Sequence, residues 1–300
     1  MHVLFDNINF TSNSGPNSFG TKLAIEFSKM DVTIHDSFRS ECDVQLSFIE
    51  RTRDNNIPKV LRLDGIYFNT AQNWEIQNSK ILDSYKSSDA VIVQSNFNKV
   101  LVEKYFGIHD NINVINNGTD VNEYRLVVPT DAPSLQQYNK VWLSASSWRP
   151  HKRLNENILY FLEHSKQDEC MVVAGKNANF EISDPRVFYA GECNRQQLLS
   201  LYKAADYFIH LAYLDHCPNV VVDARAADCH IICSSSGGTK EISGENSTII
   251  IEDEWNLEPC DLYNPPKMDF SKKKQGTNMT DICIKNVSKK YADVLRGVIR

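Results

Sequence analysis

Short β-rich runs alternate with segments of helical period from one end of this 300-residue chain to the other. That alternation admits few folds. Parallel strands need crossover connections, usually helices, and the sheet they form is covered by helices on both faces. In the first half the expected strands are Val3 to Asp6, Val32 to His35, Val44 to Phe48, Lys59 to Leu63, Ala90 to Val93 and Asn113 to Ile115. Helical segments fall between several of them, at Phe19 to Phe27, Trp74 to Tyr85 and Asn96 to Phe106, the last with Ser95 placed as an N-cap.

From Arg125 to Tyr138 the periodicity lapses and two prolines appear, which marks a linker over 126–138 between a first domain at 1–125 and a second at 139–300. The second series has strands at Lys140 to Ala145, Met171 to Ala174, Val187 to Tyr189, Tyr207 to Leu211, His230 to Cys233 and Thr248 to Ile251. Leu154, Ile158, Phe161 and Leu162 form one apolar helix face, and Leu198, Leu201, Tyr202 and Ala205 form another, with Asn194 and Gln197 spaced as a capping pair. Trp255 to Thr277 reads as irregular, and its Lys272-Lys273-Lys274 run as solvated surface. A terminal helix from about Asp281 to Val298 puts Val287, Tyr291, Val294 and Val298 on one side, a face available for packing back on the first domain.

A net charge of −6 gives no global basic field, which argues against nucleic acid as a partner and means any anionic ligand must be held locally. The apolar start Met1 to Phe5 is too short for a signal-peptide core, and no run approaches the roughly 18 apolar residues of a membrane helix. A cytoplasmic protein is expected. Eight cysteines without a Cys-x-x-Cys pair then read as reduced, mostly buried thiols, and the five Asn-x-Ser/Thr triplets as chance.

Ligands of open parallel sheets bind beyond the carboxyl ends of the strands, where helix N-termini offer N–H groups to anions. Four strand-to-helix junctions fit that rule. The first, Asn13 to Gly20, has Gly15 and Pro16 for a tight turn, with Ser14 and Ser18 hydroxyls to cap the helix or meet a phosphate. The second, Ser146 to Arg153, concentrates Arg149, Lys152 and Arg153 where they would project into an interdomain crevice and neutralise a diphosphate. The third, Tyr213 to Asp223, has Pro218 suited to a first helical turn, so that the amides of Asn219 and Val220 point outward, with Asp215 before the helix and Asp223 two turns into it. The fourth, Ser234 to Glu241, turns through Gly237 and Gly238.

Together these residues resemble the second domain of retaining GT-B glycosyltransferases of family 4, also called group 1, with the specific match running from about Val141 to Ile251. Arg149 and Lys152 match the family's Arg-x-x-Lys turn, which binds the donor diphosphate. Asp215 and Asp223 occupy the places of its Glu-x7-Glu pair, each one methylene shorter. Pro218, Asn219 and Val220 fit a variant whose amides hold phosphates, and Gly237-Gly238 with Glu241-Ile242 fit Gly-Gly-x-x-Glu-Ile. Glu192 and Cys193 fall where the family contacts the nucleobase, and Gly15-Pro16 resembles its phosphate-side loop. Asp64 ends a strand where many relatives carry a histidine, which marks it as a candidate contact to the transferred sugar or the acceptor hydroxyl; a turn-forming Asp-Gly is the plainer alternative.

The resemblance implies two Rossmann-like α/β domains whose parallel sheets face a central cleft. It also implies transfer of a sugar from a nucleoside-diphosphate donor to a glycan, glycolipid or other hydroxyl acceptor, with retention and without a metal or other cofactor. No Asp-x-Asp triplet of the metal-dependent transferases occurs. A catalytically inactive relative that binds sugar nucleotides or acts as a scaffold is the alternative, favoured by the two aspartates and the short first domain. An NAD-dependent oxidoreductase lacks its Gly-x-Gly-x-x-Gly fingerprint here.

Overall fold

A computed structural model describes residues 1–12, 14–130, 133–178 and 182–299, so Asn13 of the first junction and residues 131–132 of the linker lie outside the described residues. The chain divides into two units, one of residues 1–120, 257–260 and 281–300, the other of residues 121–256 and 261–280.

The first unit holds six parallel strands, β1 (His2–Asp6), β2 (Thr33–His35), β3 (Val44–Phe48), β4 (Lys59–Leu63), β5 (Ala90–Val93) and β6 (Ile112–Val114), in the order β2-β1-β3-β4-β5-β6. β3 and β5 are buried along their whole length; β5 is accordingly an unbroken apolar run, whereas β3 alternates and its buried Gln45 and Ser47 both donate to the Asp6 carboxylate. The helices are α1 (Gly15–Phe27), α2 (Trp74–Lys86) and α3 (Asn96–Phe106); the Ser95 side chain accepts from the Asn98 N–H and caps α3. Ser14 precedes α1 but its hydroxyl does not cap the helix. It accepts instead from Asn17 Nδ2 at 2.9 Å. The C-terminal helix, Ile284–Val298, packs on this unit, burying Ile284, Val287, Tyr291, Ala292 and Leu295 with Phe19, Leu23 and Phe27 of α1 and Phe48 of β3.

The second unit has seven strands, β7 (Lys140–Ala145), β8 (Glu169–Ala174), β9 (Val187–Gly191), β10 (Tyr207–His210), β11 (His230–Ser234), β12 (Glu245–Ile250) and β13 (Lys273–Thr277), in the order β13-β12-β11-β10-β7-β8-β9. All pairs are parallel except β12 with β13. β13 corrects the irregular reading of 255–277. Its Lys-Lys-Gln-Gly-Thr sequence buries only Gly276 and has no periodicity to detect, yet it covers β12 as a polar edge strand. The helices are α4 (Glu123–Leu126), α5 (Pro133–Gln136), α6 (Leu154–His164), α7 (Arg195–Ala204), α8 (Asn219–Ala226) and α9 (Thr239–Ile242), and α7 starts with the reciprocal Asn194–Gln197 capping box. Trp142, Trp148, Ile158, Phe161, Met171, Val173 and Ile209 form this unit's core. The eight cysteines are all free thiols, and among the described residues no helix is long and apolar enough to cross a membrane.

Candidate functional site

Three of the four junctions of interest belong to the second unit, and two of them converge on Asp215. Beyond β7 the chain makes a single 3₁₀ turn at Pro150–Lys152, and Arg153 follows in the left-handed conformation (φ 55°). The turn is tied to the next junction twice, because the His151 carbonyl accepts from the Tyr213 N–H at 2.7 Å and the Asn157 carboxamide joins the Lys152 carbonyl to the Leu211 N–H. Lys152 Nζ thereby meets the Asp215 carboxylate in a close ion pair, and His210 Nε2 lies 2.9 Å from the same oxygen.

Asp215 is held from behind by the glycine turn. Leu214 is left-handed (φ 55°) with its N–H on Ser236 Oγ, and the Gly238 N–H donates to the Asp215 carbonyl at 2.7 Å. Gly237 (φ 70°) must be glycine, since a Cβ there would lie 2.5 Å from the Asp215 carbonyl oxygen. Gly175 plays the same part beside β7, where a Cβ would meet the Ser146 carbonyl.

Burial would raise the Asp215 pKa, but the Lys152 ammonium and the His210 contact outweigh it and hold the carboxyl well below the usual range. The surrounding imidazoles are pushed the other way. Burial, aided by the Lys152 charge, lowers His151 to about 3, and burial lowers His216 to about 4. Burial likewise lowers His210 despite its hydrogen bond to Asp215. At neutral pH the site is one cation and one carboxylate among neutral rings.

Arg153 corrects one expectation. It does not project outward with Arg149 and Lys152. Its guanidinium is 0% exposed, paired with Glu252 and bonded to the Leu211 and Pro266 carbonyls, with the Tyr213 ring 5.0 Å away. Arg149 is exposed. Pro218 also sits one place earlier than expected. Its ψ of 120° is extended, so it is the residue before α8, which starts at Asn219 and Val220.

The remaining donor-side candidates lie apart from this pair. Asp223, buried on α8, acts electrostatically on Arg195 and Tyr202 of α7; for Tyr202, burial comes first and Asp223 adds to it in raising the phenol far above its normal range. Glu192 is exposed just past β9, and Cys193 is half-buried with its Sγ 3.7 Å from the Gly191 carbonyl.

In the first unit Gly15 and Pro16 open α1. Asp64 follows β4, and Gly65 after it has φ 135°. The Asp64 side chain does more than shape a turn. It pairs with the fully buried Arg62 and accepts from Gln94 Nε2, while Arg62 also reaches Asn117 Oδ1 at 2.9 Å and Tyr291 Oη at 3.1 Å. Sequence reasoning missed Arg62, Gln94, His210 and Ser236. A visible signal existed for two of them, since an arginine in Lys-Val-Leu-Arg-Leu and a histidine in Tyr-Phe-Ile-His interrupt apolar strands.

Residues 133–258 match the family model of glycosyl transferases group 1. Among solved structures the chain is similar to AviGT4, a glycosyltransferase involved in avilamycin A biosynthesis, at 11% identity and a TM-score of 0.65, with 100% of this chain and 98% of that one covered. It is similar to sucrose-phosphate synthase from Thermosynechococcus elongatus at 11% identity and a TM-score of 0.63, covering 100% and 95%. Anabaena HepE, solved with UDP-glucose, gives 15% identity and a TM-score of 0.61 over 100% and 92%. No curated protein matches the chain by sequence. The α/β fold, with its two parallel-dominated sheets, is that of GT-B glycosyltransferase structures.

Proposed function

We propose that the protein is a retaining hexosyltransferase that moves a sugar from a nucleoside-diphosphate donor to a glycan, glycolipid or other hydroxyl acceptor, without a metal in the reaction. The observation that carries this reading is the Lys152–Asp215 pair, assembled from two strand ends beside the start of α8 and braced by the Gly237–Gly238 turn.

As the donor's C1–O bond breaks, negative charge gathers on the departing β-phosphate, and groups that bind that charge more strongly than the ground state accelerate the step. Lys152, Arg149 and the amides of Asn219 and Val220 take that role. Asp215, aimed by His210, holds Lys152 in place before the donor arrives and accepts from a sugar hydroxyl afterwards. Asp223 serves the ribose, Glu192 and Cys193 the base, and Gly15 with Pro16 the phosphate side. The acceptor oxygen bonds to C1 on the face the leaving group vacates, and its proton passes to the departing phosphate, so no protein nucleophile is required. Asp64, whose side chain is 20% exposed, contacts the sugar or the acceptor. The free thiols suit a cytoplasmic setting.

A thermal-shift screen of UDP, GDP, ADP and their sugars tests the donor site, because a ligand of the native state raises the melting temperature. UDP leads because HepE was solved with it. A shift that disappears in Lys152→Ala, with nucleotide released in the presence of an acceptor and with EDTA, supports the reading; the anomer of the product, read by NMR, tests retention. No shift with any nucleotide overturns it. Binding without turnover of any acceptor points to a sugar-nucleotide-binding protein.

A further inference from the structure

The edge of the first unit's sheet gathers three side chains that the transfer chemistry leaves unused. His2 opens β1 and His35 closes β2, and the parallel register pairs His2 with Thr33 and Leu4 with His35, which sets both imidazoles on one face. Glu41 reaches them from the segment between β2 and β3. His2 Nδ1 lies 3.0 Å from His35 Nε2, and Glu41 Oε1 lies 3.6 Å from the second nitrogen and 4.0 Å from the first.

Those separations, 3.0, 3.6 and 4.0 Å, lie to either side of the edge of a coordination tetrahedron. Zinc bonds to imidazole and carboxylate of about 2.0–2.2 Å require ligand atoms roughly 3.3–3.6 Å apart, and the three observed distances bracket that value. A single divalent cation draws both ring nitrogens and the carboxylate oxygen toward one point. We infer that His2, His35 and Glu41 bind one divalent ion of the zinc class, with water as the fourth ligand. Imidazole with carboxylate suits zinc, copper or nickel better than calcium or magnesium, which take oxygen ligands.

The backbone prepares the site. The His2 N–H donates to Asp43 Oδ2 at 2.7 Å and the His2 carbonyl accepts from the Asp43 N–H at 2.8 Å, so the segment carrying Glu41 is fastened to the strand carrying His2. His35 is 7% exposed and already oriented. The cluster sits at the amino end of β1, away from the carboxyl end at Asp6, and β2 is the sheet's edge strand. The ion therefore clamps an edge strand and takes no part in glycosyl transfer.

Calorimetric titration of the full-length, untagged, reduced protein with zinc chloride tests this. One ion binds per chain and raises the melting temperature, and His2→Ala and Glu41→Gln each weaken binding at least tenfold and abolish the shift. Both side chains are substantially exposed, so the variants fold, and their response to UDP remains that of the wild type. Cobalt(II) gives a tetrahedral spectrum without a thiolate charge-transfer band. Zinc binding of equal strength in wild type and both variants, no binding by the wild type, or a thiolate band overturns the inference.

Discussion

Replacing Lys152 by methionine keeps the aliphatic stem, removes the ammonium, and leaves the Asp215 carboxylate with the His216 N–H and with His210, whose ring burial keeps neutral. Removing one partner of a buried ion pair destabilises by about 3–5 kcal/mol. Here the side chains retain 18% and 14% exposure and the His210 contact survives, which lowers the expected loss to about 2–3 kcal/mol. The double variant Lys152→Met/Asp215→Asn removes the orphaned charge as well and should regain about 1–2 kcal/mol over the sum of the single losses. Urea denaturation at neutral pH with unchanged m-values measures all four corners. The pH dependence has a definite sign. Asp215 has a depressed folded pKa, so its contribution is present above its unfolded pKa of about 3.8 and is lost as pH falls through the folded value. In Lys152→Met the largest depressing charge is gone and the His210 contact is left to oppose burial, so the deficit against wild type is full near neutrality and closes as pH falls below about 3.8 toward the wild-type folded value. Strict additivity of the two single losses, or a deficit that does not change with pH, would refute the idea that Lys152 is what keeps Asp215 charged in the fold.

His151 and His216, with folded values of about 3 and about 4, contribute stability that is present above their unfolded pKa and lost as pH falls below it. Each should remove about 2 kcal/mol by pH 5; a stability–pH curve that is no flatter in His151→Gln and His216→Gln would contradict this. Gly237→Ala forces a Cβ to 2.5 Å from the Asp215 carbonyl at positive φ and should destabilise by about 2–4 kcal/mol, with weakened nucleotide binding. Gly191→Ala, with φ 69° but nothing within 4 Å, should lose only about 1 kcal/mol, so equal losses at the two glycines would remove the steric argument.

The strands were legible wherever burial on both faces forces an unbroken apolar run, as in Ala90-Val-Ile-Val93. Where a partner supplies the stability instead, the sequence is silent. β13 exists because β12 offers its backbone, not because Lys273 to Thr277 prefer extension. β6 lies one residue earlier than periodicity suggests because pairing of Val93 with Val114 sets its register.

The candidate site shows the same division more sharply, in two adjacent cations. Lys152 and Arg153 give identical signals in sequence, both positive and both in a turn leading from a strand into a helix. The backbone separates their fates. The left-handed residue at 153 ends the 3₁₀ turn and starts α6, sending the Arg153 side chain inward to Glu252 while Lys152 meets Asp215. The buried guanidinium, the Leu211 and Pro266 carbonyls it binds, and Ser234, which also donates to Glu252, fix one end of the β7, β10 and β11 loops together. Motif spacing locates the turn but cannot say which cation faces solvent chemistry and which one builds the wall behind it. The φ at a single residue, held where the Arg153 guanidinium meets Glu252 99 positions further along the chain, decides that.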